Sequence, residues 1–340
     1  MACSAILWFP KAWVVIIFAD KILKKIVVLD AFVANSGDLS WDALHALGNV
    51  EIYERTSESQ LAERCLGAYA IFTNKVVLSG DLLRSLPDLK FIGVLATGYN
   101  NIDIKAAAEM GVTVCNVPNY STYSVSQLVF AHLLNIVNGV GLYSESVKEG
   151  AWCKCADFSY RLSNISEIHG LTMAVYGLGH IGSEVAKIAD VFGMKVISFT
   201  SKSQEQLPAY IEKVSKEDMF RRADVLSLNA PLSADNIKFI NADTLSMMKS
   251  SAILINTARG GLVDEDALTE ALNSGKIAAA ALDVLSSEPP LATNPLLKAK
   301  NCYITPHIAW QSSHARADLL RISIDNLQAF MAGEPQNVVH

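Results

Sequence analysis

The stretch Ala174-Val-Tyr-Gly-Leu-Gly-His-Ile-Gly-Ser183 narrows what this chain can fold into more than any other. An apolar run over 171–176 meets Gly177, Gly179 and Gly182, and a helical pattern continues from there to Phe192. Strand, tight turn and helix follow one another without a gap. In that order the glycines have separate tasks: Gly177 allows the turn, Gly179 lets backbone approach a pyrophosphate, and Gly182 lets the helix pack on the strand. The first helical amides then point at the phosphates. Gly177, Gly179, His180, Ile181 and Gly182 are therefore expected at a dinucleotide.

A chain of 340 residues is long for one compact unit, and two domains are expected. Hydrophobic residues make up 51% and charged residues 18%, enough for sizeable cores and unlike a disordered chain. The net charge of −6 carries no basic face for phosphate backbones, so no nucleic-acid partner is expected. Cys3, Cys65, Cys115, Cys153, Cys155 and Cys302 are too scattered for a disulfide framework and read as free thiols in a reducing cytoplasm. No second Cys/His pair lies near Cys153 and Cys155, so no metal is expected. Residues 5–19 are apolar, but Pro10 and Lys11 interrupt them and the remainder falls short of the roughly 20 residues a membrane span needs. Without a basic leader or a small-residue cleavage site, residues 1–24 read as an extension outside the fold, and no membrane partner is expected.

From Lys25 onward, short apolar runs alternate with helical patterns: 26–29, 41–47, 51–53, 58–66, 70–72, 80–86, 91–95, 102–109 and 112–116. Such alternation is the signature of βαβ units on a parallel sheet, whose ligands sit at the carboxyl ends of the strands. Two loops stand at such ends, Thr73-Asn74-Lys75 and Ala96-Thr97-Gly98-Tyr99-Asn100-Asn101. The second could hold an anion on its amides, and each is equally readable as ordinary turn chemistry. One long helix is expected over 124–147, with His132 on its apolar side as a satisfied core histidine. A second series supplies strands at 171–176, 195–199, 225–228, 252–256, 279–283 and 302–304, the six of a Rossmann-type sheet. Its helices are expected at 182–192, 216–222, 242–248, 265–275 and near Pro295. Glu265, Asp266 and Glu270 complement the dipole of their helix and read as ordinary structure.

About 20 residues past the glycines an Asp or Glu would bind the ribose 2′-hydroxyl and select NAD. This chain has Thr200-Ser201-Lys202 there. Hydroxyls and a lysine tolerate a 2′-phosphate that a carboxylate would repel, so NADPH acceptance is expected, with NADH not excluded; Lys202 is equally readable as a solvated charge. Three further strand ends carry reactive groups: Arg259 in Asn256-Thr-Ala-Arg-Gly-Gly261, Glu288 in Asp283-Val-Leu-Ser-Ser-Glu-Pro-Pro290, and His307 in Thr305-Pro-His-Ile-Ala-Trp310. At the carboxyl ends of strands the three would surround the nicotinamide; singly, Arg259 reads as a surface charge, Glu288 as a turn residue before prolines and His307 as a helix-start polar group, and it is the three together beside a dinucleotide turn that mark a reactive site.

GLGHIG, NTARGGLVDEDAL, LDVLSSEPP and TPHIAW, in this order and spacing, resemble the D-isomer-specific 2-hydroxyacid dehydrogenases over about residues 25–337. TNK at 73–75, VLATGYNNID at 94–103, VPNYSTYSVSQLVFAHLL at 117–134 and HIAW at 307–310 are most similar to the members that act on glycerate and hydroxypyruvate. The resemblance implies two Rossmann-like α/β domains: a doubly wound cofactor domain at 124–307, inserted into a flavodoxin-like substrate domain made of 25–123 and 308–340, with the site in the cleft between them. It implies that NAD(P)H reduces a short 2-keto acid, hydroxypyruvate to D-glycerate and also glyoxylate, in a homodimer formed through the cofactor domain.

The same resemblance assigns roles. Arg259 would grip the substrate carboxylate and polarise the C2 carbonyl, and His307 would give its proton to the carbonyl oxygen. Glu288 would fix the histidine tautomer and raise its pKa. Asn74, Lys75, Thr97, Gly98, Tyr99 and Trp310 would surround the substrate, while Pro231, Thr257 and Asp283 would lie near the cofactor with Thr200, Ser201 and Lys202. Thr200 departs from the family's usual acid, Asn229 from its frequent histidine, and Ser126-Gln127 from its Ala-Glu. Two other readings remain: a D-2-hydroxyacid dehydrogenase of different specificity, such as one for lactate, and a cofactor-sensing protein like the corepressors that share this fold. The absence of a low-complexity tail counts against the second.

Overall fold

The computed structural model describes residues 24–339, so the extension expected before Lys25 lies, Lys24 apart, outside the described residues. The chain forms two compact units. One runs to Asn116 and resumes at Ser323; the other is Val117–Ile322.

The first unit is a five-stranded parallel sheet in the order β2-β1-β3-β4-β5. Its strands are β1 (Lys25–Val28), β2 (Asn49–Ile52), β3 (Ala70–Thr73), β4 (Phe91–Val94) and β5 (Thr113–Cys115). β3 and β4 are buried at every position, which is why they read as unbroken apolar runs rather than alternations. β2 pairs only with β1 and carries the charged Glu51, as suits an edge. The chain returns to this unit after Ser323: Phe330 packs on Phe91 with ring centroids 5.3 Å apart, and Asn116 N–H donates to Asn337 O. Helix Ser313–Met331 therefore crosses the unit boundary.

The second unit is a seven-stranded parallel sheet in the order β12-β11-β10-β9-β6-β7-β8. Its strands are β6 (Thr172–Tyr176), β7 (Lys195–Phe199), β8 (Ile211–Lys213), β9 (Val225–Leu228), β10 (Ile253–Asn256), β11 (Ala279–Leu282) and β12 (Cys302–Ile304). Separate apolar clusters cover its two faces, one around Phe220, Leu226 and Leu254, the other around Val129, Leu133, Val175 and Val185. That is a doubly wound sheet whose strand order reverses between β6 and β9. Six strands were expected and a seventh is present: β8 is a three-residue edge on β7, too short to print a period in the sequence. Residues 117–123 and 308–322, read from sequence as part of the substrate domain, group with this unit. The local reason is a set of bonds: Ser124 Oγ donates to Ala309 O, and the amides of Ile308 and Ala309 donate to the Asp283 carboxylate, each at 2.9 Å.

The single helix expected over 124–147 is two, Thr122–Asn138 and Val140–Lys148, bent by 56°. Gly139 sits between them in the left-handed region at φ +61°, closing the first helix through its N–H to Asn135 O. Among the described residues no single helix is long and apolar enough to cross a membrane. A Cβ at Gly139 would bring a left-handed penalty of about 1–2 kcal/mol and would lie 3.3 Å from Ser163 Oγ. Gly139→Ala should therefore lower the denaturant midpoint without changing cofactor affinity, and an unchanged midpoint would show that the bend is not set by this residue.

Candidate active site

The glycine turn lies where the second sheet reverses direction, at the carboxyl ends of β6 and β9. Gly177 has φ +93°, and a Cβ there would lie 2.6 Å from Ala230 N, so the turn and the end of β9 meet backbone to backbone. A Cβ on Gly182 would land on the Gly177 carbonyl. Gly179 differs: nothing lies within 4 Å of its would-be Cβ. The protein itself does not need a glycine there, whereas a phosphate approaching the first turn of helix His180–Val191 does. A cavity of about 500 Å³ opens at this point, lined by Gly177–Gly179, Phe199, Thr200, Ser201, Lys202 and Pro231. Six of the residues predicted for the cofactor thus share one cavity, with His180, Ile181 and Gly182 on the adjoining helix. Thr257 Oγ1 and Asn229 Oδ1 are buried without a hydrogen-bond partner at the ends of β10 and β9, which leaves an acceptor and a hydroxyl for a polar ligand. These features fit a nicotinamide dinucleotide.

Lys202 is exposed, as a solvated charge would be, and its side chain also reaches the glycine turn. Its Nζ donates to Leu178 O at 3.0 Å, folding the side chain over the glycine turn, and Lys213 Nζ donates to Lys202 O at 2.7 Å. No carboxylate lines this cavity.

His307 follows β12 with φ +54°, a left-handed conformation that a non-glycine residue holds only under constraint. The constraint is Asp283. His307 N–H donates to Asp283 O at 2.9 Å, and the Asp283 carboxylate accepts from Ile308 N, Ala309 N and, at 2.6 Å, Thr305 Oγ1. Asp283, expected near the nicotinamide behind the groups that touch it, is 1% exposed, and its carboxylate is engaged in the turn that presents the histidine. His132 completes the set with Nε2 3.1 Å from Thr305 Oγ1. Because the threonine hydrogen points at the carboxylate, His132 Nε2 is the donor in this pair, which assigns the Nε2–H tautomer to the neutral ring. Burial pushes the His132 pKa down, with Asp283 acting weakly the other way. This is the satisfied core histidine the sequence suggested.

His307 Nδ1 lies 2.6 Å from Glu288 Oε2, while Glu288 Oε1 accepts from Leu285 N at 3.1 Å. The contact with Glu288 occupies Nδ1, and the His307 side chain is 28% exposed. Arg259 ends the turn after β10 with an exposed side chain, and Asn256, fully buried, braces that turn by donating to Arg259 O and accepting from Ala258 N. Gly260 lets this turn lie against Leu285 and Ser286, where any Cβ would strike backbone. Arginine turn and glutamate loop are therefore packed directly together. Tyr120 escaped the sequence reading: burial raises its phenol pKa, with the Arg259 charge opposing, and its ring meets Trp310 edge-on at 6.3 Å.

Asn74, Lys75, Thr97, Gly98 and Tyr99 belong to the first unit. Asp30, at the end of β1, accepts from the amides of Asn74, Lys75 and Val76. Asn74 Nδ2 donates to Leu95 O, and Asn116 Nδ2 to Thr97 O. Asn101 Nδ2 donates to Val76 O at 3.0 Å, so the two predicted loops lie side by side, and Asn74 Oδ1 is buried without a partner.

A doubly wound parallel sheet, a glycine turn at its switch point and a histidine–carboxylate pair at its strand ends define a nicotinamide-dependent oxidoreductase. Residues 130–309 match the model of the D-isomer specific 2-hydroxyacid dehydrogenase NAD binding domain, and the chain belongs to that family. It is 40% identical over 320 residues to a hydroxypyruvate reductase of Blautia hydrogenotrophica, covering 93% of this chain and 99% of that one. It is also 40% identical over 319 residues to a glycerate dehydrogenase of Methylorubrum extorquens, with the same coverage. Among solved structures, an NADPH-dependent glyoxylate/hydroxypyruvate reductase of Sinorhizobium meliloti in complex with NADP and malonate superimposes with TM-score 0.77 at 28% identity, covering 93% of this chain and 97% of that one.

Two outcomes test this geometry. Gly179→Ala should leave thermal stability unchanged and weaken dinucleotide binding, whereas Gly182→Ala should destabilise the unit itself; equal effects on stability would contradict the separation of roles. For His132, the folded pKa lies below its ordinary 6.5, so the folded state binds fewer protons than the unfolded one across that interval. Its contribution is complete above the unfolded pKa and is lost as pH falls through it. Melting temperatures should drop on acidification, and His132→Asn should flatten that dependence.

Proposed function

We propose that this chain reduces hydroxypyruvate to D-glycerate with a reduced nicotinamide dinucleotide, and glyoxylate as a second substrate. The observation that carries the reading is the 2.6 Å bond between His307 Nδ1 and Glu288, on a histidine held in a strained turn whose remaining nitrogen is available for proton transfer. The relatives at 40% identity, a hydroxypyruvate reductase and a glycerate dehydrogenase, support the choice of substrate.

When bound, the nicotinamide supplies the hydride that reduces C2 of the keto acid. The chain's own residues do the rest. Arg259 pairs with the substrate carboxylate through its planar fork and draws charge from the C2 oxygen. His307, protonated on Nε2, gives that proton to the oxygen as charge develops there. Glu288 holds Nδ1–H, fixing the ring plane and leaving Nε2 as the nitrogen that transfers the proton. Asn74, Lys75, Thr97, Gly98 and Tyr99 are the proposed substrate loops of the first unit, and Trp310 a further substrate contact. In this reading the first unit is the substrate domain and the second the cofactor domain.

Cofactor choice is part of the proposal. Thr200, Ser201 and Lys202 line the cavity without a carboxylate, so a 2′-phosphate meets no repulsion there, and NADPH is accepted. Thr200→Asp should shift the kcat/KM ratio toward NADH; an unmodified protein that strongly prefers NADH would contradict the assignment. A homodimer through the second unit is supported by its exposed apolar set of Val140, Leu142, Trp152, Phe158 and Leu162, with Phe158 90% exposed. Cytoplasmic location belongs to the same reading, supported by Cys65, Cys115, Cys153, Cys155 and Cys302, all of them free thiols, as suits a reducing compartment.

The assay is oxidation of NADPH or NADH followed by absorbance, with a panel of 2-keto acids. Hydroxypyruvate should be the best substrate, and His307→Ala should reduce kcat by about 10²-fold or more while leaving cofactor binding nearly intact. Negligible turnover of every keto acid would return the chain to the cofactor-sensing reading.

A further inference from the structure

Glu265 opens helix Glu265–Asn273 and looks at first like a residue placed for the helix dipole. That task is already covered. Asp264 caps the helix by accepting from Ala267 N and is itself held by Lys238 at 2.9 Å, and Asp266 adds charge in the same turn. The Glu265 carboxylate turns elsewhere. Oε1 accepts from Ser286 N–H at 2.7 Å and Oε2 accepts from Asn294 Nδ2 at 2.7 Å. Ser286 and Asn294 stand on either side of Glu288 in the loop between β11 and β12. Asn294 is itself oriented, because its Oδ1 accepts from Leu296 N at 3.0 Å.

The two oxygens of one carboxylate therefore hold both ends of the segment that carries Glu288, through short charge-assisted bonds. The same stretch of chain connects Glu265 back to the Arg259 turn, whose Gly260 lies against Leu285 and Ser286. We infer that Glu265 is a positioning residue for the reaction: it sets Glu288 against His307 and fixes the distance of both from Arg259. The inference rests on the acid–base reading of His307 and Glu288 given above. A contact of 2.6 Å between Glu288 and the imidazole leaves little room for displacement, and a shift of about 1 Å in such a constellation can cost on the order of 10²-fold in rate.

The test uses the full-length protein and the variants Glu265→Ala and Glu265→Gln, with Glu288→Gln as the reference. Two readouts separate positioning from a purely structural role. One is the His307 ring-nitrogen resonances followed by NMR, which report the hydrogen bond at Nδ1 and need no substrate. The other is kcat and KM for hydroxypyruvate reduction, with cofactor Kd and melting temperature measured alongside. Glu265→Ala should shift the Nδ1 resonance, because displacing Glu288 loosens that hydrogen bond, and should lower kcat about 10- to 100-fold with cofactor Kd unchanged. Glu265→Gln keeps an acceptor for Ser286 N–H and should recover most of both. In the double variant with Glu288→Gln, loss of Glu265 should add nothing further.

An unchanged His307 Nδ1 resonance in Glu265→Ala, or losses that add to those of Glu288→Gln, would overturn the inference. Should Glu265→Ala fail to fold, Asn294→Ala removes one of the two bonds and must shift the resonance in the same direction by a smaller amount. A wild-type protein that reduces no keto acid would overturn the substrate assignment alone, because the ring-nitrogen resonances still report the positioning.

Discussion

The Asp283 carboxylate is the group on which the site depends. It gathers the Thr305 hydroxyl and the amides of Ile308 and Ala309, and its backbone carbonyl takes the amide of His307. Four donors converging on one residue hold His307 in a left-handed conformation that costs on the order of 1–3 kcal/mol elsewhere. Without that anchorage the histidine would relax into an ordinary extended turn, and the 2.6 Å contact with Glu288 would be lost. Asp283 sits at the end of β11 between β10 and β12, so the sheet register itself decides where the imidazole stands.

The same device recurs. Asp30, at the end of β1, takes three consecutive amides of the loop after β3. Glu265 takes one amide and one side-chain donor of the loop after β11. In each case a carboxylate at the edge of a rigid element immobilises an irregular segment by satisfying donors that would otherwise need water. Parallel sheets place their loops at the carboxyl ends of strands, and such loops lack a ladder of their own. Buried or half-buried carboxylates supply the missing acceptors, which is how a scaffold built for packing also fixes groups within hydrogen-bond tolerance.

Much of this was legible in the sequence where the constraint is local. The glycine turn could be read because Gly177 takes the left-handed φ of a tight turn and Gly182 meets the Gly177 carbonyl within its own strand–turn–helix unit, and the buried strands because both faces are apolar. The break at Gly139 was not, since an isolated glycine inside an apolar helical pattern is tolerated and its left-handed φ leaves no further mark. Strand β8 was missed for its length. Arg259, Glu288 and His307 stood out by residue type at strand ends; Asp283 was expected near the cofactor and Glu265 as a complement to its helix dipole, and neither carried a sign of the amides it holds. Asp283, Glu265 and Asp30 act on backbone amides tens of residues away, and an amide has no residue type to betray it. Tyr120 was hidden for a related reason: a tyrosine in a Ser/Thr-rich run carries no sign that burial raises its pKa or that Arg259 opposes the shift.

The central claim is that a strained histidine, held by Glu288, acts as the proton donor in reduction of a short 2-keto acid. The most direct test is the pH dependence of kcat/KM for hydroxypyruvate reduction by the unmodified protein. A single ionisation should govern the alkaline side, with the rate falling about tenfold per pH unit once the donor is deprotonated. A profile flat through that range, with turnover intact, would contradict the account.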